Sequence, residues 1–160
     1  MSRAASIPAR LHRAALWIAY RGMLAVWFVL RPKRRGVFVA VWHGGRVLAI
    51  HNSYRSHLAL PAGGMKRGEA PREAAVRELR EEVGLSLPPE SLRYACEIES
   101  EHEYTRDHCW FFEVDLAQPP TVVPDQREVI WAGFVDADEA LRGRLLPPVR
   151  AYLECRGRRP

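Results

Sequence analysis

Five carboxylates fall within fourteen residues of this chain: Glu69, Glu73, Glu78, Glu81 and Glu82, in the stretch GGMKRGEAPREAAVRELREEVGL that runs from residue 63 to residue 85. A glycine-rich loop opens it. A helical pattern follows, in which Ala75, Leu79 and Val83 recur at i, i+4 and i+8 and mark one buried stripe. On such a helix Glu78 and Glu82 stand one turn apart, with Glu81 three residues from Glu78, so the three acids share a patch about 5–6 Å across. Two chemistries suit the pattern. Arg77 and Arg80 could pair with the acids on a solvated face, each pair contributing about 0.2–0.5 kcal/mol. Alternatively, carboxylates beside a loop carbonyl could hold a hard cation: Mg²⁺ and Mn²⁺ take oxygen ligands, and Mg²⁺ keeps waters that suit diphosphate chemistry.

The elements that must position these acids are legible around them. Pro71 suits the first helical position and Gly84 the C-terminal stop. Ahead of the loop, residues 37–42 and 46–51 read as two strands joined by a tight turn at Gly44-Gly45. Residues 52–57 form a polar loop, 58–60 a short strand and 61–68 the glycine-rich loop. Beyond Pro88-Pro89, residues 92–104 and 109–114 read as strands around a turn at Arg106-Asp107. Residues 119–126 form a loop, 128–135 a strand, and 136–141 and 148–154 two short helices. Strands and helices interleaved in this way predict an α/β layered domain with a mixed sheet.

With 160 residues, 48% hydrophobic, and five each of Trp, Tyr and Phe, the chain can build one globular core. Cys96, Cys109 and Cys155 are an odd number without a C-x-x-C pair, which excludes a disulfide framework or a zinc ribbon and fits a reducing compartment. The net charge of +5 is unevenly distributed. Residues 1–36 carry eight bases and no acid, whereas residues 37–160 carry 16 bases and 19 acids, so the basic balance belongs to the N-terminus and a nucleic-acid partner is disfavoured for the domain as a whole. Residues 11–30 are apolar enough for a helix but are interrupted by Arg21 and Gly22 and followed by a basic cluster, which disfavours both a spanning segment and a cleaved signal. Helical spacing gathers Arg10, Arg13, Arg21 and Arg31 with Trp17, Leu24 and Phe28 on one stripe. Three readings stay open for it: a peripheral membrane contact through residues 10–35, packing on the domain, or packing on a second subunit in a homodimer. The division expected is a basic segment over 1–35, a catalytic domain over 36–155 and a basic tail over 156–160, in a cytoplasmic protein with the inner face of a membrane as its alternative place.

The spacing of the acidic stretch resembles the Nudix hydrolase signature. Gly63, Glu69, Arg77, Glu78, Leu79, Glu81, Glu82, Gly84 and Leu85 match all nine of its positions. With residue frequencies of about 7%, such a match arises by chance at roughly one in 10⁹ per window. The resemblance implies a Nudix-type α/β/α sandwich with a mixed sheet, in which Glu78, Glu81, Glu82 and the carbonyl of Ala62 are metal ligands. It implies that Gly63 lets the backbone turn to present that carbonyl, and that Glu69 and Arg77 orient the helix. The implied activity is Mg²⁺-dependent hydrolysis, with Mn²⁺ as a possible substitute, of a nucleoside diphosphate linked to another group X, such as a nucleotide sugar, ADP-ribose or a dinucleotide. Water attacks phosphorus and a carboxylate takes its proton. That base is Glu78 in some members and a loop acid in others, for which Glu128 and Asp125 are the candidates, Glu128 preferred.

The family's substrate marks lie outside the signature. ADP-ribose enzymes often have a proline where this chain has Glu101, and the flanking motifs of coenzyme A and NADH pyrophosphatases are missing. Dinucleoside polyphosphate hydrolases tend to have a tyrosine near the position of Tyr104, which with Arg55 is a candidate substrate contact. Tyr54, Trp110 and Phe112 could stack a base but suit packing better, and His102 and His108 read as surface or satisfied strand histidines. Removal of pyrophosphate from RNA 5′ ends and a non-catalytic nucleotide-binding module are the alternatives to the small-molecule reading.

Overall fold

In the computed structural model, which describes residues 7–157, an unbroken run of buried residues from 37 to 42 marks the centre of a mixed sheet. Continuous burial is what a strand covered on both faces needs. This strand, β1 (Lys33–His43), lies parallel to β6 (Thr105–Asp115) from Lys33 to Trp42. It turns at Gly44-Gly45 into β2 (Arg46–Asn52), with Trp42 opposite Val47. Beyond that hairpin the two strands part. β1 takes β4 (Ala62–Gly64) at residues 36–38, while β2 takes β3 (Leu58–Ala59) and, at its other edge, β7 (Val129–Asp136). β5 (Arg93–His102) closes the outer edge against β6, giving the order β3-β2-β1-β6-β5 with β4 on β1 and β7 on β2.

Alternation along β6 decides what each face meets. Phe112 faces α2 (Pro71–Val83), with the Arg72 guanidinium 5.9 Å from its ring. Phe111 and Glu113 face α4 (Pro147–Gly157), where Phe111 stacks on Tyr152 and the Tyr152 hydroxyl donates to Glu113 at 2.7 Å. Helices therefore cover opposite faces, as a three-layer sandwich requires. Glu113 is fully buried and also pairs with Arg93 and Arg156, while Arg156 lies 4.1 Å over Trp42. A third helix, α3 (Ala137–Arg142), is N-capped by Asp136, whose carboxylate accepts from the Glu139 N–H at 3.0 Å.

Some boundaries differ from the sequence expectation. β1 starts at Lys33 rather than 37, because residues 33–36 continue the parallel ladder onto residues 106–109 of β6. Within the expected loop 61–68, residues 62–64 form β4. The β5–β6 turn lies at Glu103-Tyr104, both at positive φ (51° and 65°), and Arg106-Asp107 are paired inside β6 opposite Glu101 and Ser100. Neither turn residue is glycine, so the local signal is weak. The turn is secured instead by the Glu103 carboxylate, which accepts from Arg55 at 2.7 and 3.0 Å and from Tyr20 at 2.5 Å.

The first helix, α1 (Ile7–Leu30), turns Arg13, Leu16, Tyr20, Leu24 and Trp27 to the domain, each half-buried. Arg13 donates to the Gln126 carbonyl at 2.9 and 3.2 Å, and Arg34 lies 4.4 Å over the Trp27 ring. The stripe of arginines expected on this helix is consequently split: Arg13 points inward to a carbonyl, while Arg21 stays outside, 5.7 Å over Trp17. The Arg10 side chain and residues 158–160 of the expected tail lie outside the described residues, and residues 156 and 157 belong to α4.

Candidate active site

The buried stripe of α2 is wider than its aliphatic residues. Ala75, Leu79 and Val83 are fully buried, but Glu78 and Glu82 are also buried, at 9% and 7% exposure. The helix stops at Gly84, whose φ of 69° is left-handed and whose N–H bonds back to the Arg80 carbonyl. From the helix, the Glu78 carboxylate lies directly against Gly63: a Cβ there would stand 2.0 Å from the Glu78 Oε1. Only glycine allows that approach. Glu82 accepts from the Ala62 N–H at 2.9 Å, so both acids lean on β4. Glu81 projects outward, with its side chain 50% exposed.

Arg77 ties loop and helix together. It donates to both Glu69 oxygens at 2.7 and 2.9 Å, to Glu78 at 2.5 Å, and to the Gly64 carbonyl at 3.0 Å. Glu69 also accepts from the Lys66 N–H at 2.8 Å, and the Arg77 pairing holds its carboxyl down to about 2. Glu78 and Glu82 behave oppositely. Burial pushes both above the usual carboxylate range, and neighbouring anions add to it: Glu81 and Glu128 around Glu78, and Glu78, Glu128 and Asp125 around Glu82.

A cavity of about 370 Å³ opens beside these acids, with Glu82, Ala62, Gly63 and Glu128 in its wall and α1 along one side. Glu128 is held at both ends: its carbonyl accepts from the Ser53 N–H at 2.8 Å and its carboxylate from the Tyr54 hydroxyl. Asp125 is occupied structurally, because its carboxylate accepts the N–H groups of Arg127, Glu128 and Val129 at 2.8 to 3.0 Å. The loop before it is pinned to the end of α2, with Val123 N–H on the Val83 carbonyl and Asp125 N–H on the Glu82 carbonyl. This pinning brings Glu128 to the same cavity as Glu82.

Two residues expected to touch substrate are placed differently. Arg55 lines the cavity, yet its guanidinium is already bound by Glu103 and lies beside the rings of Tyr20 and Tyr54, which meet each other at 5.0 Å. Tyr104 is not in the cavity wall; it stands at the β5–β6 turn, edge-on to Phe28 at 5.1 Å. Among the aromatics, Tyr54 reaches the cavity, Phe112 is core, and Trp110 packs against His108 and Arg35. His108 is satisfied by Glu97 at 2.8 Å. His102 is not: it lines the cavity, and its buried Nδ1 has no hydrogen-bond partner among the described residues, with Asp107 at 3.6 Å. Packing of α1 on the domain is one of the three readings the sequence leaves open, but nothing in the sequence marks the helix as a cavity wall or signals the Tyr20–Arg55–Glu103 cluster, whose contacts join residues 35 to 83 positions apart.

The residues fit a divalent cation. Glu78 and Glu82 are two buried carboxylates raised chiefly by burial, with nearby acids adding to it, which an ion would relieve, and the Gly63 approach holds one of them against the loop. Among the described residues no three His, Cys, Asp or Glu side chains already converge on one point, because Glu78 is turned to Arg77 and Glu82 to the Ala62 N–H.

The NUDIX domain model matches residues 32–154, and the chain belongs to that family of pyrophosphohydrolases. No curated protein matches it by sequence. Among solved structures, it is similar to a C. elegans Ap4A hydrolase (18% identity, 78% of this chain and 95% of that one, TM-score 0.66). The MutT protein of Methanosarcina mazei Go1 shares 20% identity over 80% and 95% of the two chains at TM-score 0.68. RenU, a Nudix hydrolase of M. smegmatis, shares 26% over 79% and 84% at TM-score 0.57.

Proposed function

We propose that this protein hydrolyses a diphosphate linkage in a nucleoside diphosphate joined to a second group X, using Mg²⁺, or Mn²⁺ in its place. The observation that carries the reading is the pair of buried acids, Glu78 and Glu82, leaning on the Ala62–Gly64 strand in a complete Nudix signature, with Glu82 sharing a cavity with Glu128. Glu78, Glu81, Glu82 and the Ala62 carbonyl would hold the cation. When bound, such an ion neutralises diphosphate oxygens and makes its water more acidic. Arg77 and Glu69 keep Glu78 aimed at the loop.

Glu128 takes the proton from the attacking water in this reading. Its support is the Tyr54 hydroxyl, which fixes the carboxylate, and the position of that carboxylate in the cavity wall with Glu82. Asp125, saturated by three backbone N–H groups, serves as the turn that sets Glu128. Arg55 acts by holding the wall through Glu103, and His102 offers the cavity a buried polar atom that X can meet.

The test is release of phosphorylated product across ADP-ribose, nucleotide sugars, dinucleoside polyphosphates, nucleoside triphosphates and a 5′-triphosphate RNA, with and without Mg²⁺. Dinucleoside polyphosphates belong in the panel because one structural neighbour is an Ap4A hydrolase, and ADP-ribose because another is a bifunctional enzyme with ADP-ribose pyrophosphatase activity. Turnover that Glu82→Gln abolishes is the expected result, and Glu128→Gln should lower it by about 10²–10⁴-fold. No Mg²⁺-dependent turnover on any member would overturn the reading.

A further inference from the structure

The two faces of α1 have different surroundings. Its inward face walls the catalytic cavity through Leu16, Tyr20 and Trp27. Its outward face is bare: Leu11, Ile18, Val26 and Val29 are 52% to 76% exposed. At helical spacing, an arc about 120° wide centred on Leu11 and Val29 holds only aliphatic, alanine and glycine residues. Trp17 and Phe28, both more than half exposed, stand together on one side of that arc beyond Arg21, and the exposed Tyr104 ring meets Phe28 edge-on. An aromatic edge beside an aliphatic strip suits the boundary between headgroups and acyl chains.

Charge selects the occupant. Residues 1–36 carry eight bases and no acid, so a second copy laid on this face would bring two like-charged segments together, whereas an anionic surface complements them. The helix has the length and composition of a membrane span. Its attachments argue for lying flat instead: Arg13 holds the Gln126 carbonyl and Tyr20 holds Glu103, and crossing would break both and carry Arg13 and Arg21 into hydrocarbon.

We propose that α1 is an interfacial helix that docks the enzyme on an anionic lipid bilayer, its outward arc in the acyl boundary and Arg21, Arg31 and Lys33 at the headgroup phosphates. Because the opposite face of the same helix walls the cavity, docking sets the active site next to the membrane surface.

Vesicle flotation of the full-length chain tests this, in chelator so that neither metal nor turnover contributes; failure of the hydrolase reading would leave the result standing. The protein is expected to float with mixed phosphatidylglycerol–phosphatidylcholine vesicles at least about tenfold better than with phosphatidylcholine alone, less so as salt rises. Ile18→Glu/Val29→Glu should float about tenfold less while keeping its far-ultraviolet spectrum and its hydrolysis of soluble diphosphates. Equal flotation with both vesicle types, equal flotation of the double variant, or attachment that survives alkaline carbonate as a spanning helix would overturn the proposal. So would a solution dimer, abolished by the double substitution, in a protein that does not float.

Discussion

A single glycine sets how closely the acidic helix can meet its loop. The Glu78 carboxylate occupies the space that a Cβ on residue 63 would need, at 2.0 Å. Gly63→Ala must therefore displace Glu78 or the loop, and turnover is expected to fall by about 10–100-fold while the urea midpoint changes little, since the substitution touches no core contact. His102 gives a different kind of prediction. Burial holds its imidazole below the usual histidine range, Arg55 and Arg34 reinforce this, and Asp107 and Glu103 oppose it. The folded protein thus takes up this proton less readily than the unfolded chain. Its stabilising share is complete above about pH 6.5 and is lost as pH falls from there through the lower folded value. In His102→Gln the drop in Tm between about pH 7.5 and about pH 5.5 should shrink. Sensitivity at lower pH should persist, because Glu69 and Glu103 are held below the ordinary carboxylate range and lose their contribution only as they protonate.

At the scale of elements, α2 must end where it does for the site to assemble. Gly84, at a φ of 69°, closes the last turn through its N–H on the Arg80 carbonyl, and Leu85 N–H follows onto the Leu79 carbonyl. The chain then leaves in a direction that lets residues 123 and 125 bond the carbonyls of Val83 and Glu82. Gly84→Ala forces a side chain into the left-handed region and is expected to cost about 1–2 kcal/mol, read as a lower urea midpoint with an unchanged slope. Most of this helix is legible in its own residues: Pro71 at its start, the aliphatic repeat, and Gly84 at its stop. The turn at Glu103-Tyr104 is not, because its two positive-φ residues carry no local preference for it and Glu103 is held by Arg55 and Tyr20, far away in the chain.

Over the whole molecule, folding gathers negative charge where water is excluded. Glu78 and Glu82 are both raised, chiefly by burial, so the folded protein gains whenever a cation joins them. Mg²⁺ or Mn²⁺ should raise Tm, by a stabilisation of about 2.7 kcal/mol at about a hundredfold excess over Kd, and Glu78→Gln/Glu82→Gln should show no such shift in thermal unfolding. A third buried acid, Glu113, lies on the opposite face of the sheet under α4, paired with Arg93, Arg156 and Tyr152, and should not contribute to that shift. Nothing in its neighbours Phe112 and Val114 distinguishes a buried, paired glutamate from an exposed one on a strand.

What the sequence determined by itself is what depends on near neighbours along the chain: the acids of residues 69–82, the helix that carries all of them but Glu69, the glycines on either side of it and the apolar runs that make the strands. Those residues carry the family and its chemistry, because helical spacing alone puts the carboxylates within a few side-chain lengths of each other. Tertiary structure decided which other groups complete the cavity. Glu128 arrives through the pinned loop, Tyr104 is diverted to Phe28, Arg55 is taken by Glu103, and α1 becomes a wall on one side and an exposed apolar surface on the other. Each is a contact between residues far apart in the chain, set by packing and charge pairing across elements, for which no local spacing rule exists.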